Sequence, residues 1–300
     1  MAMLPRYDWA VLLMLPSFRA CLEEDKLQCM DEAFGMVPPA PLPPPNTPDS
    51  APAATETSKH LERYTSWKLN PSKIQSLTHA ESKGTQALAR VAAEHTDADG
   101  RPLELEFYAS GKRGMLFVDR ARTRLVKVQK HDDHGVEVIE KESRWLAIVN
   151  RASLGPRLLG TGDGYLMCEF LADGLDAIAY LQHPHVTRAH VAWFLRSVMY
   201  QCFVLDTLGI NKAEMTHPMR HIIVLGTRVV FVDFEKCTYG RQRRNVTQVC
   251  QFLSSPRIVA AMAKKGHGIS VDKLRAASKA YKARPHASTL EPVFRALRLT

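Results

Sequence analysis

The clearest alternation of hydrophobic and polar positions begins at residue 103, where short apolar runs are separated by turn residues. Three runs have strand composition: 103–108, 115–118 and 124–128. Apolar residues then recur with helical spacing over 136–149, as they do earlier over 79–94. The pattern predicts an antiparallel meander followed by a helix.

A second block repeats this order and then becomes helical. Strands are predicted over 157–160 and 164–170, and Thr187 is placed to cap a long apolar helix that ends near Leu208. The remaining apolar runs predict one hairpin and three helices: 222–225 with 229–232, then 246–254, 257–264 and 271–283. A sheet followed by helices predicts an α+β protein of two lobes.

The N-terminal third of the chain has a different character. Eight of the 18 prolines fall between Pro38 and Pro52, so residues 36–58 are predicted to form an extended linker. We predict an N-terminal extension over 1–35, the linker over 36–58 and a helical or mixed extension over 59–103. One globular domain follows over 104–300, with an N-lobe over 104–171 and a C-lobe over 172–300.

Charge is distributed unevenly along a chain of ordinary globular composition. With 45% hydrophobic and 24% charged residues, the sequence excludes collagen and wholesale disorder. From Lys236 to the end, 14 basic side chains face only Asp272 and Glu291. Such a field attracts nucleic acid, acidic protein or lipid headgroups, although basic residues of this kind are more often a solvated helix face. RNA or a ribosomal particle is the partner that we predict for this basic segment. Nothing in the sequence indicates a reader of DNA sequence.

The six cysteines have no paired short spacing, which predicts neither a zinc ribbon nor a disulfide framework. The apolar stretch 9–15 is too short to cross a bilayer. We therefore expect a protein with no membrane span in a reducing compartment, the cytoplasm, with an organelle as the alternative.

Two glycines, Gly111 and Gly114, lie with Lys112 between two predicted strands. Glycines at such a place let backbone N–H groups approach phosphates, although a glycine pair between strands is more often a plain turn. The spacing does not match a Walker loop, which requires a following helix.

Lys127 stands inside the next apolar strand. It is either a strand lysine that extends to water or a cation for the α- and β-phosphates of a nucleotide, oriented by a carboxylate from the following helix. Glu142 is the best placed carboxylate, and Glu140 is the alternative.

A second group of polar residues surrounds the predicted hairpin. Asp233 follows three apolar strand residues, so its carboxylate is expected at the strand end, where a hard cation that bridges phosphates would sit. Glu214 and His221 precede Asp233 by intervals close to those between the catalytic loop and the magnesium-binding aspartate of protein kinases.

In this order the motifs resemble the small archaeal-type predicted serine/threonine protein kinases, an atypical branch of the protein kinase-like fold near the RIO kinases. The resemblance covers about residues 104–253. It depends on these segments: 110–114, Lys127, 142–146, 168–170 with Gly174, 208–214, 218–221, 233–236 and 245–249.

The resemblance implies an α+β, bilobal protein kinase-like fold with a small antiparallel-sheet N-lobe and a reduced helical C-lobe. It also implies ATP and Mg2+ as cofactors. The resemblance implies that the glycine loop contains Gly111, Lys112 and Gly114, and that the phosphate-binding lysine is Lys127 with Glu142 as its partner. The implied adenine hinge consists of Glu169, Phe170 and Leu171. The implied catalytic carboxylate is Glu214, and the two implied metal positions are His221 and Asp233.

Two residues depart from the family pattern. Glu214 is one methylene longer than the expected aspartate, and the imidazole of His221 is a poor ligand for magnesium. Despite these departures, the resemblance implies an ATP-dependent phosphotransferase that acts on a serine or threonine hydroxyl of a protein, itself included. The alternatives are a pseudokinase that binds nucleotide or docks through its basic segment, and a small-molecule kinase.

Overall fold

The computed structural model describes residues 38–43, 83–110, 114–129, 135–216, 218–240, 242 and 244–300, with the side chains of 135–137 left out. The predictions for residues 1–35, for the linker apart from residues 38–43, for residues 59–82, for Gly111 and for Lys112 lie outside the described residues.

A five-stranded antiparallel sheet forms the N-lobe of the described structure, in the order β1-β2-β3-β5-β4. Its strands are β1 (Leu105–Ser110), β2 (Gly114–Asp119), β3 (Arg124–Gln129), β4 (Leu158–Gly162) and β5 (Tyr165–Glu169). Helix α1 (Lys83–Glu94) covers one face of the sheet and α2 (Gly135–Asn150) contacts β3, β4 and β5. The predicted meander and helix are confirmed.

Strict alternation along β3 decides which side chains face each helix. Val126 and Val128 are fully buried in the small core beneath α1. Leu125 packs against the large core on the α2 side, and the period of two places Lys127 on the same face. The strand pattern thus directs one lysine toward α2 and the junction between the lobes.

The C-lobe is built around a long buried helix, α4 (Arg188–Thr207), whose first turn is capped by the Thr187 hydroxyl as predicted. A three-stranded sheet packs beside it in the order β6-β8-β9. The other C-lobe elements are β6 (Leu175–Asp176), α3 (Ala177–Gln182), β7 (Ile210–Asn211), β8 (Ile222–Leu225), β9 (Arg228–Phe231), β10 (Thr238–Tyr239), α5 (Asn245–Leu253), α6 (Pro256–Lys264), α7 (Val271–Ala283) and α8 (Ala287–Ala296).

One hydrophobic core joins the lobes, because Leu146 of α2 and Leu166 of β5 belong to the same buried cluster as Phe194 of α4. The sheet, the helix that follows β3 and the helical second lobe form the predicted α+β, bilobal protein kinase-like fold. That prediction is confirmed by the strand order and by the position of Lys127 opposite α2.

A short part of the predicted linker packs on the C-lobe. Leu42 is partly buried against the large core, and the carbonyl oxygen of Ala40 lies 3.1 Å from Nε2 of His190. The backbone N–H of Thr187 donates to Nδ1 of His190, so Nε2 carries the proton and donates to Ala40.

No helix among the described residues is long and apolar enough to cross a membrane. Within the same residues four cysteines are buried with free thiols: Cys168, Cys202, Cys237 and Cys250. Burial raises the pKa of the Cys168 thiol to about 12.

Candidate functional site

Lys127 and Glu142 form a close ion pair between β3 and α2. The Lys127 Nζ atom donates to Glu142 Oε2 at 2.5 Å, and the two side chains are 18% and 9% exposed. Glu140 lies on the exposed side of α2, where its carboxylate meets Arg144. The helix therefore presents Glu142 to the lysine, as the spacing predicted.

A second carboxylate reaches the same lysine from the C-lobe. Glu235 Oε2 lies 3.6 Å from Lys127 Nζ, and its side chain is 13% exposed. Burial alone would lower the pKa of Lys127, but the carboxylates of Glu142 and Asp233 outweigh it and raise that pKa. The lysine is thus a fixed cation at neutral pH.

Gly114 opens β2 directly against this lysine. A Cβ atom at residue 114 would lie 3.0 Å from the Val128 carbonyl oxygen and 3.3 Å from Lys127 Cε. These distances are tighter than ordinary contacts, so a side chain at residue 114 would displace its neighbours by a few tenths of an ångström, and glycine fits without such a shift. It also places the described end of the predicted glycine loop beside Lys127.

Asp233 follows β9 and has a left-handed backbone, with φ of +64°. A non-glycine residue in this region costs about 1–3 kcal/mol and is retained where the surroundings hold it. Its Oδ1 atom is buried and accepts a hydrogen bond from no described residue. A buried carboxylate oxygen without a donor is unfavourable unless a ligand or cation contacts it.

Glu214 and His221 lie beside this carboxylate. His221 Nδ1 is 3.7 Å from Asp233 Oδ2, and His221 Nε2 is 3.9 Å from Glu214 Oε2. Burial lowers the pKa of His221, so the imidazole is neutral at pH 7. Glu214 is 40% exposed and also accepts from the Lys236 ammonium. The predicted catalytic carboxylate therefore reaches the same place as Asp233.

The described structure contains two groups of three residues whose ligand atoms lie within 4.8 Å of one another inside each group. The first group is Glu142, Asp233 and Glu235, and the second is Glu214, His221 and Asp233. Asp233 belongs to both groups. Carboxylate oxygens are the ligands that Mg2+ prefers, so the first group fits this ion better than the second, which includes an imidazole. The buried, donor-free oxygen of Asp233 fits the same ion.

The predicted hinge lies at the end of β5, where the lobes meet. The carboxylate of Glu169 accepts two hydrogen bonds from the Arg228 guanidinium, at 2.6 and 3.1 Å. Burial would raise the pKa of Glu169, yet the hydrogen bonds from Arg228 and from the Arg157 backbone lower it. The Glu169 side chain therefore ties β5 to the β8–β9 hairpin.

The next two hinge residues have other neighbours. Phe170 packs edge-on against Tyr108 at 5.1 Å between ring centroids, with the Arg122 guanidinium over its ring. The Leu171 carbonyl accepts from the backbone N–H of Gly174. Adenine recognition by Glu169, Phe170 and Leu171 remains a prediction.

Sequence reasoning missed Lys212, which is the most deeply buried lysine of the site. It is 1% exposed, and its Nζ atom donates to the Asp233 carbonyl oxygen at 2.9 Å. Burial lowers its pKa, partly offset by Cys237 and Asp233. A lysine between asparagine and alanine in a polar run carries no periodic signal of burial.

Comparison of the sequence with protein-family models and with curated proteins gives no match. Among solved structures, the chain is similar to a choline/ethanolamine kinase family protein from Mesorhizobium loti, with a TM-score of 0.38 and 10% identity over 71% of this chain and 92% of that one. It is also similar to the streptomycin–ATP–APH(2")-IIa ternary complex, with a TM-score of 0.29 and 14% identity over 66% and 91% of the two chains. Aminoglycoside phosphotransferase APH(2'')-Ib, ADP-bound, gives a TM-score of 0.30 and 11% identity over 66% and 93%.

Proposed function

We propose that this protein is an ATP-dependent phosphotransferase that acts on a serine or threonine hydroxyl of a protein, its own chain included. The observation that carries the proposal is the convergence of Lys127, held by Glu142, with the carboxylate of Asp233, whose buried Oδ1 atom accepts a hydrogen bond from no described residue. Lys127 and Glu142 come from the N-lobe and Asp233 from the C-lobe, and protein kinases use such a lysine–glutamate pair together with a metal-binding aspartate for phosphoryl transfer.

In this proposal Lys127 contacts the α- and β-phosphates. Its charge is maintained by Glu142, which also fixes the direction of the ammonium. Nucleotide phosphates approach past Gly114, where no side chain separates the backbone from Lys127. Because Glu235 also reaches Lys127, phosphates compete with this carboxylate for the lysine.

Asp233 would hold Mg2+, with Glu142 and Glu235 as the neighbouring oxygen donors. The ion, when bound, neutralises part of the triphosphate charge. Glu214 orients the acceptor hydroxyl, which is sufficient in a loose transition state that needs little proton abstraction. The neutral imidazole of His221 lies between the two carboxylates and separates their charges.

A small-molecule acceptor is the second candidate, and one feature favours it. Only residues 234–244 separate Asp233 from α5, and this segment pairs through β10 with β7. Such a short connection offers little surface for the docking of a peptide. A third candidate is a pseudokinase, favoured by the Lys236 ammonium on Glu214.

The test is transfer of labelled γ-phosphate from ATP with Mg2+. We expect incorporation into the chain itself or into a protein mixture, and Asp233→Asn should lower it about 100-fold. Asp163→Asn, which changes an exposed aspartate paired with Arg90, is the matched control and should transfer at the wild-type rate. Transfer only to small hydroxyl compounds selects the second candidate, and nucleotide binding without any transfer selects the third.

A further inference from the structure

Lys212 links the two loops that carry the candidate carboxylates. Its backbone belongs to the loop that continues to Glu214, while its ammonium donates to the carbonyl oxygen of Asp233. Glu214 and Asp233 both have left-handed backbones, with φ of +55° and +64°. One side chain therefore joins two strained positions at the same site.

The surroundings of the Lys212 side chain leave its ammonium few alternatives. It lies 5.1 Å from the ring centroid of Phe234, in a cation–π contact, and it is shielded from water. A buried ammonium without an acceptor is strongly unfavourable, so the bond to the Asp233 carbonyl is held firmly. That bond restricts the rotation of the Asp233 backbone.

A buried polar network fixes the other end of Lys212. Its backbone N–H donates to Asn245 Oδ1 at 2.9 Å, and Asn245 Nδ2 donates to Asp206 Oδ1 at 2.8 Å. Asp206 Oδ2 in turn accepts from the Tyr281 hydroxyl on α7. The network anchors the start of the Glu214 loop to the C-lobe core.

We infer that Lys212 is a positioning residue that holds the Asp233 backbone so that its carboxylate faces the place proposed for Mg2+. The inference rests on the proposed function. In the described structure Lys212 donates to the main chain of Asp233 and to no carboxylate. Removal of the lysine side chain should therefore weaken only the part of nucleotide binding that depends on Mg2+ at Asp233. Binding of ATP without metal depends on Lys127 and is unaffected.

The test compares ATP binding by the full chain with Mg2+ and with EDTA. Lys212→Met keeps the length of the side chain but removes the charge and the donors. Lys212→Gln keeps a neutral N–H donor and also serves if the methionine variant does not fold. The matched control is Lys265→Met, because the Lys265 ammonium likewise donates to a backbone carbonyl, that of His183, at 2.7 Å.

We expect Lys212→Met to raise the Mg2+ concentration needed for half-maximal ATP binding about tenfold, with affinity in EDTA unchanged. Lys212→Gln should give a smaller rise, and Lys265→Met none. If the wild type and both Lys212 variants need the same Mg2+ concentration for ATP binding, the inference about Lys212 is overturned and the proposed function is not. A wild type that binds no Mg2+-ATP would overturn the proposed function as well.

Discussion

Glu142, Asp233 and Glu235 lie close together around Lys127. Removing the lysine should therefore lower the free energy of unfolding more than removing the charge of Glu142. Their carboxylate oxygens lie within 4.8 Å of one another, a distance at which two unit charges interact by about 3.5 kcal/mol at an effective dielectric constant of 20. Lys127→Met removes the ammonium that these carboxylates share. The folded state then contains three crowded acids.

Solvent weakens part of this repulsion, since the Asp233 side chain is 35% exposed. We expect Lys127→Met to lower the free energy of unfolding by about 3 kcal/mol at pH 7. Glu142→Gln should lower it by only about 1 kcal/mol, because Lys127 keeps Glu235 at 3.6 Å. A charge-preserving control, Lys127→Arg, should lie nearer the wild type than Lys127→Met.

The assay is urea unfolding of each variant at pH 7 and pH 5, with and without Mg2+. Protonating one of the crowded carboxylates relieves the repulsion, so the deficit of Lys127→Met relative to the wild type should shrink at pH 5. Mg2+ should reduce the same deficit. Equal losses for Lys127→Met and Glu142→Gln, or a deficit independent of pH, would refute the proposed cluster.

Three further predictions concern other parts of the molecule. Burial lowers the pKa of His267, so the unfolded chain binds more protons than the folded chain below about pH 6.5, and the free energy of unfolding should fall as the pH is lowered there. In urea unfolding, His267→Gln should reduce this dependence of the free energy of unfolding on pH. An unchanged dependence would contradict the prediction. The four buried cysteines should react with an alkylating reagent at native pH only after unfolding, and rapid native labelling by mass spectrometry would show otherwise. Arg275, Lys279 and Lys282 are exposed on α7 at helical spacing, so the triple change to Glu should weaken retention on RNA and its dependence on salt, whereas retention equal to the wild type would exclude this face.

The N-lobe was predictable because its pattern is local. The alternation of Leu125, Val126 and Lys127 determines which of them faces α2, and the helical spacing after β3 selects Glu142 over Glu140. Period-two and period-3.6 patterns act within one element, so the sequence alone determines which side chains share a face. The ion pair then follows from two elements adjacent in the chain.

The parts that could not be predicted depend on distant packing. Helix α8 was not predicted, because Pro292 lies inside it and a proline normally ends a helix. Burial of Leu290 and Val293 stabilises the helix despite the missing backbone donor. Lys212 is likewise buried by contacts with Asp233 and Asn245, which lie 21 and 33 residues further along the chain.

The proposed phosphoryl transfer requires Lys127 and Asp233 to serve one triphosphate. The most direct measurement is a crystal structure of the full chain with Mg2+ and a non-hydrolysable ATP analogue. We predict that the α- and β-phosphates contact Lys127 Nζ and that the ion lies on the Asp233 carboxylate. A nucleotide bound elsewhere, with Lys127 still paired only to Glu142 and Glu235, would contradict the account.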